Sequence, residues 1–247
     1  MMSLRLDSTV ASDIGRRANN EDRAFASPRL AVVADGVGGA AAGEVASRLA
    51  VDRIIELDKR HLTDSLGDEL RRAVARANQT IGFVVEYDPD KAGMSTTITV
   101  AALSDDGHFL ISNVGDSRTY LFRGGDLRQL TRDDSLIQAL IDYGELTEEE
   151  ARSHPARSVV TAVLGGQPTL QPRIQAVGAQ LGDRLLLCSD GLSDAIDDAA
   201  IATALTIADR ERCAQALIDG ALAAGGRDNI TVVIADVVAG ERADGDA

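Results

Sequence analysis

The sequence predicts an α+β fold built on antiparallel sheet, and three observations carry that reading. Seven apolar runs have strand length, consecutive runs are joined by tight glycine-containing links, and helical periodicity is gathered into a pair between early and later strands. A three-residue link permits antiparallel neighbours and leaves no room for a parallel crossover, so the sheet must be largely antiparallel. The chain has 247 residues, which one β-rich domain can occupy, and no internal repeat or linker divides it.

Taken in order, Leu4 to Ile14 is a weak strand candidate and LAVVA (30–34) a strong one. Gly43 to His61 and Ser65 to Tyr87 follow with apolar residues at helical spacing. STTITVAAL (95–103), HFLISNV (108–114) and RTYLF (118–122) read as strands, with turns at Gly115-Asp116-Ser117 and Gly124-Gly125-Asp126. Residues 131–166 are polar and interrupt the strands; within them Ser135 to Tyr143 and Thr147 to Ser153 read as short amphipathic pieces. RIQAV (173–177), RLLLC (184–188) and ITVVIADV (230–237) are further strands, and Ile196–Leu205 and Arg210–Ala223 two further helices. The segment 241–247 is a short polar tail, expected to fray.

Lys and Arg number 25 against 39 Asp and Glu, a net charge of −14, which disfavours nucleic acid or an anionic membrane as a general partner. Aromatic content of 3% without tryptophan argues against base-stacking platforms. Cys188 and Cys213 form no C-x-x-C pair and read as two buried thiols in a reducing compartment. The first residues show no secretion signal and no run approaches the ~18 apolar residues of a membrane span, so a cytoplasmic location is expected. The sequons at Asn78 and Asn229 therefore carry little meaning.

Four aspartates stand where an apolar run begins or ends: Asp35, Asp116, Asp190 and Asp228. Antiparallel pairing can bring Asp35, Asp190 and Asp228 to one edge of the fold, where hard oxygen ligands suit Mg²⁺ or Mn²⁺. Zinc is disfavoured, because His61, His108 and His154 are scattered without ligand spacing. The competing explanation is that Asp-Gly is ordinary turn chemistry, as at Asp106-Gly107. Gly36-Val37-Gly38-Gly39-Ala40-Ala41 fits a dinucleotide fingerprint, but no second strand follows the first helix as that fold requires. Arg16 and Arg17, ahead of Asn19-Asn20-Glu21-Asp22, are either a surface ion pair or a guanidinium fork for phosphate.

Six segments together resemble one family, the PPM or type 2C metal-dependent Ser/Thr protein phosphatases in their compact bacterial form. They are GRRANNED (15–22), one residue short of the family's spacing, DGVGG (35–39), MSTT (94–97), VGDSR (114–118), SDGL (189–192) and GRDNIT (226–231). The resemblance implies a four-layer αββα sandwich occupying 1–240, with 131–166 as the family's mobile flap beside the site. It implies hydrolysis of phosphoserine and phosphothreonine by a metal-activated water, with two tightly bound Mn²⁺ or Mg²⁺ ions plus a weaker third. Asp35 would bridge two ions, the Gly36 carbonyl would hold one and Asp190 with Asp228 the other. Asp116 would join Asp190 at the third, Arg17 would bind phosphate, and Asp22 beside Glu21 would orient water. Expected partners are phosphorylated proteins, the targets of a bacterial Ser/Thr kinase, and the chain is expected to act as a monomer. The alternative is a catalytically silent module of the same fold. Val37 replaces the histidine some members use as an acid, Ser95 replaces a glycine, and Asp134 stands where many relatives have histidine, with Asp133 kept.

Overall fold

The computed structural model describes residues 3–38, 42–58, 66–151 and 154–240. Gly39, His61 and the tail expected at 241–247 lie outside the described residues. Two five-stranded sheets dominate. The first runs in the order β1 (Leu4–Asp13), β12 (Ile230–Ala239), β11 (Arg184–Cys188), β8 (Arg118–Arg123), β9 (Asp126–Gln129). The second runs β10 (Gln175–Gly178), β7 (His108–Val114), β6 (Ile98–Leu103), β3 (Leu30–Ala34), β2 (Arg23–Ala26), and every pairing in both sheets is antiparallel. A two-residue ribbon, β4 (Gly36–Val37) with β5 (Ser95–Thr96), continues from β3.

Period-two alternation explains why the central runs read as unbroken apolar stretches. On β3, Ala31 and Val33 face the space between the sheets while Leu30, Val32 and Ala34 face outward under helices α1 (Ala42–Asp58) and α2 (Leu66–Tyr87). On β11, Leu185 and Leu187 face inward and Leu186 and Cys188 outward, under α5 (Asp190–Ser193), α6 (Asp198–Leu205) and α7 (Arg210–Ala223). Three apolar layers thus separate four structural layers, the αββα sandwich expected from the resemblance. Cys188 and Cys213 are free and buried in the layer beneath α7, as the sequence suggests.

Several elements differ from expectation. The weak candidate at the start is a full ten-residue strand, β1, paired along its length with β12. The run 95–103 is broken at Thr97 into β5 and β6. The three-residue link Gly115-Asp116-Ser117 does not join sheet neighbours: β7 belongs to the second sheet and β8 to the first, so this turn crosses the sandwich. Gly124-Gly125 does close a hairpin, pairing Arg123 with Asp126. The polar interruption contains α3 (Leu136–Asp142), capped by Ser135, and α4 (Glu148–Ala151).

Candidate active site

The strands deliver the predicted acids to one seam between the sheets. Asp35 follows β3 of the second sheet, while Asp190 follows β11 and Asp228 precedes β12 in the first. Cys188 is in register with Val232, and Ser189 extends the pairing by donating N–H to the Thr231 carbonyl at 3.1 Å. Asp116 occupies the turn that crosses from one sheet to the other at this same edge, and its charge bears on Asp190.

Asp22 is buried, and Ser189 Oγ donates to its Oδ2 at 2.8 Å. Asn20 accepts the Asp22 N–H at 3.1 Å. The loop carrying Arg17 is folded onto the strand start by Asn229, which donates to the carbonyls of Ile14 and Asn19 and accepts the Glu21 N–H, each at 2.9 Å. Arg17 Nη2 lies 2.6 Å from Asp228 Oδ2, with the arginine side chain more than half exposed, so both readings of this arginine share one geometry. Gly36 donates to the Glu21 carbonyl at 3.2 Å, and any Cβ there would collide with the Gly43 carbonyl. This is a structural reason for glycine at the second position of DGVGG.

Burial and mutual repulsion raise the carboxyl pKa values. Burial first, then the charges of Asp22 and Asp190, hold Asp35 well above the ordinary range. Asp190 is pushed up to about 8 by burial, then by Asp116, Asp194 and Asp228. Asp22 rises to about 6, mainly through burial, and Asp116 also to about 6, through burial with added repulsion from Asp133 and Asp194. Oδ1 of Asp22 and Oδ1 of Asp190 are buried and have no hydrogen-bond partner. Crowded carboxylates with unfilled oxygen lone pairs fit a hard divalent cation, which neutralises the repulsion and takes up the unpaired oxygens. Among the described residues, no three His, Cys, Asp or Glu side chains are already gathered around one point. Asp228 is turned to Arg17, and Mg²⁺ or Mn²⁺ sites need few carboxylates because they retain waters.

The interrupting segment abuts the seam. Asp134 and Gly115 exchange two hydrogen bonds, Asp134 N–H to the Gly115 carbonyl at 2.9 Å and Gly115 N–H to Asp134 Oδ2 at 3.1 Å. Asp134 therefore serves the Asp116 turn here. Arg118 forks onto Asp133, with Nε 3.0 and 3.1 Å from its two oxygens and Nη2 at 2.7 Å from Oδ2. Arg157 of the same segment pairs with Asp194 at 3.6 Å. Val37 is exposed. Sequence reasoning passed over the supporting roles of Asn229 and Ser189; both lie within quoted motifs, but their partners are more than 160 residues away in the chain.

A family profile described as Protein phosphatase 2C matches residues 11–224. The chain is 45% identical over 238 residues to the serine/threonine protein phosphatase PstP of Mycobacterium tuberculosis, covering 96% of this chain but 46% of PstP, so it spans about half that relative's length. It is 35% identical over 239 residues to the serine/threonine phosphatase stp of Listeria monocytogenes, covering 91% of this chain and 93% of stp. The crystal structure of the PstP catalytic domain in complex with two manganese ions matches with a TM-score of 0.90 and 43% identity, covering 96% of this chain and all of that one. By profile, by sequence and by fold, the chain belongs to the protein phosphatase 2C family.

Proposed function

We propose that the chain is a metal-dependent protein serine/threonine phosphatase, hydrolysing phosphoserine and phosphothreonine with water. The observation that supports this reading is the crowding at the seam: the charges of Asp22, Asp190 and Asp228 bear on Asp35, Arg17 lies on Asp228, and Oδ1 of Asp22 and of Asp190 are buried and unpaired. Asp35 and the Gly36 carbonyl would hold one cation, and Asp35, Asp190 and Asp228 a second. Asp116 with Asp190 would hold a weaker third. Mn²⁺ or Mg²⁺ bound there supplies charge neutralisation and acidifies water.

The chain's own groups do the rest. Arg17, freed from Asp228, forks two hydrogen bonds onto phosphate oxygens and orients the phosphoryl group for in-line attack. Asp22, held by Ser189 on one oxygen, offers the other as an acceptor that orients the attacking water. Val37 has no proton to give, so protonation of the leaving serine or threonine oxygen falls to the Asp116 side. A silent module would lack part of this set, and every member is present.

On this reading one phosphatase domain spans 1–240 and the segment 131–166 is its flap. Its substrates are phosphorylated proteins, targets of a bacterial Ser/Thr kinase, met by a monomer in the cytoplasm. No described helix is long and apolar enough to cross a membrane. The test is hydrolysis of a phosphothreonine peptide with Mn²⁺, stopped by EDTA and restored by added metal. Full activity in metal-stripped protein, or none with Mn²⁺, overturns the proposal.

A further inference from the structure

The apolar interface between the sheets is interrupted at the site edge by two hydroxyl pairs. Thr97 Oγ1 lies 2.7 Å from Ser117 Oγ, and Thr99 Oγ1 lies 2.7 Å from Thr119 Oγ1, all four side chains being buried. Thr99 and Thr119 belong to facing strands, β6 of one sheet and β8 of the other, and Thr97 and Ser117 lie two residues nearer the seam. Hydroxyls that satisfied only each other could be replaced by paired aliphatic side chains at little cost in stability, so what such a pair adds is direction.

The two pairs differ in what they hold. Thr97 Oγ1 also accepts the Asp35 N–H at 3.0 Å, and Thr97 N–H donates to the Asp35 carbonyl at 2.8 Å, a carbonyl that Thr96 Oγ1 reaches at 2.7 Å. Ser117 follows Asp116 directly. Gly115, on the other side of Asp116, adopts φ +104° and sits so tightly on Thr97 that a Cβ would come within 2.6 Å of the Thr97 methyl. The backbones bearing Asp35 and Asp116 are thus joined through one buried bond between hydroxyls.

We propose that Thr97 and Ser117 are positioning residues: their hydroxyl pair fixes the Asp116 turn against Asp35 and thereby sets the affinity of the Asp116–Asp190 end of the site for its divalent cation. This rests on the metal-dependent reading above. Neither hydroxyl touches substrate in this role; both act through the carboxylates they place.

The test is Mn²⁺ titration of the wild-type chain, Thr97→Val, Thr97→Ser and Ser117→Ala, followed by electron paramagnetic resonance of free Mn²⁺ alongside thermal melts. In Thr97→Val the weakest class of bound Mn²⁺ should need about tenfold more metal for half-occupancy, while the tighter classes titrate as in wild type. Thr97→Ser should restore the wild-type curve, because it keeps the hydroxyl and loses only a methyl. Ser117→Ala should weaken the same class without touching the bond to Asp35, and it decides the matter should Thr97→Val not fold. The control Thr99→Val/Thr119→Val, which removes the other pair, should titrate normally. Wild-type titration in Thr97→Val or Ser117→Ala overturns the proposal, as does a Thr97→Ser variant as weak as Thr97→Val. Absence of any bound Mn²⁺ in wild type would instead remove the metal-dependent reading, and this inference with it.

Discussion

Replacing Asp190 by Asn should make the metal-free protein more stable at pH 8 and leave it unchanged near pH 4. The folded pKa of Asp190 is about 8, against ~3.9 for an unfolded aspartate. A carboxyl whose folded pKa is raised binds its proton more tightly in the native state, so it destabilises the fold as pH rises. The cost is absent below the unfolded value, grows across the window from ~4 to about 8, and levels off above it. Four units at ~1.4 kcal/mol each set an upper bound of roughly 5–6 kcal/mol. Asp35 beside it shares the titration and relaxes when one charge is removed, so about 2–3 kcal/mol is expected. Losing an acid from the first turn of the short helix α5 opposes this by only ~0.5 kcal/mol. At 2–4 °C per kcal/mol for a chain of this size, the Tm of EDTA-treated Asp190→Asn should exceed that of wild type by roughly 4–12 °C at pH 8. Circular dichroism melts at low salt from pH 4.5 to 8.5 measure it. Adding Mn²⁺ should reverse the order, because only wild type gains the full stabilisation of bound metal. A gap independent of pH, or a variant less stable at pH 8, would refute the repulsion argument.

Arg17→Ala should lower kcat/KM on phosphothreonine peptides about ten- to hundredfold, the loss of a charge-assisted contact worth ~1.5–3 kcal/mol, while metal binding stays intact. An unchanged kcat/KM would return the arginine to a surface partner of Asp228. Asp116→Ala should leave two tightly bound Mn²⁺ ions by calorimetry and slow phosphoprotein hydrolysis more than that of p-nitrophenyl phosphate, whose leaving group needs little protonation. Equal losses on both substrates, or loss of a tight ion, would remove Asp116 from that role.

The placing of the candidate acids at one seam was legible because they sit at strand ends. Runs such as LAVVA before Asp35 and LLLC before Ser189-Asp190 mark where backbone pairing stops, and antiparallel logic then places such ends together. Sheet membership was not legible in the same way. β7 and β8 are both apolar and are joined by three residues, and only their packing shows that the link spans two sheets. The edge strands β2 and β9 were missed for another reason: RAFA and DLRQ are four residues each and partly exposed, so they carry little apolar periodicity. Helix α5 escaped because its four residues, DGLS, follow a strand and hold a glycine, so they read as a turn. Asn229 and Ser189 could be quoted but not interpreted, since their work is to join segments distant in the chain.

The segment between α3 and the second sheet is closed by backbone hydrogen bonds at its base. Leu136 N–H reaches the Val159 carbonyl at 2.9 Å and Thr161 N–H the Asp134 carbonyl at 2.7 Å, closing the segment into a loop at its base. Leu164 exchanges hydrogen bonds with Thr96 at 2.8 and 3.0 Å, and the Asn78 carboxamide of α2 holds the N–H groups of Gly165 and Gly166 at 3.0 and 2.8 Å. Doubling a loop closed at its base costs only about 0.6 kcal/mol in closure entropy, so added length between Leu136 and Arg157 should leave the base bonds standing. The hydrogen-bonded base thus separates the length of this segment from the placing of the Asp116 turn that it abuts.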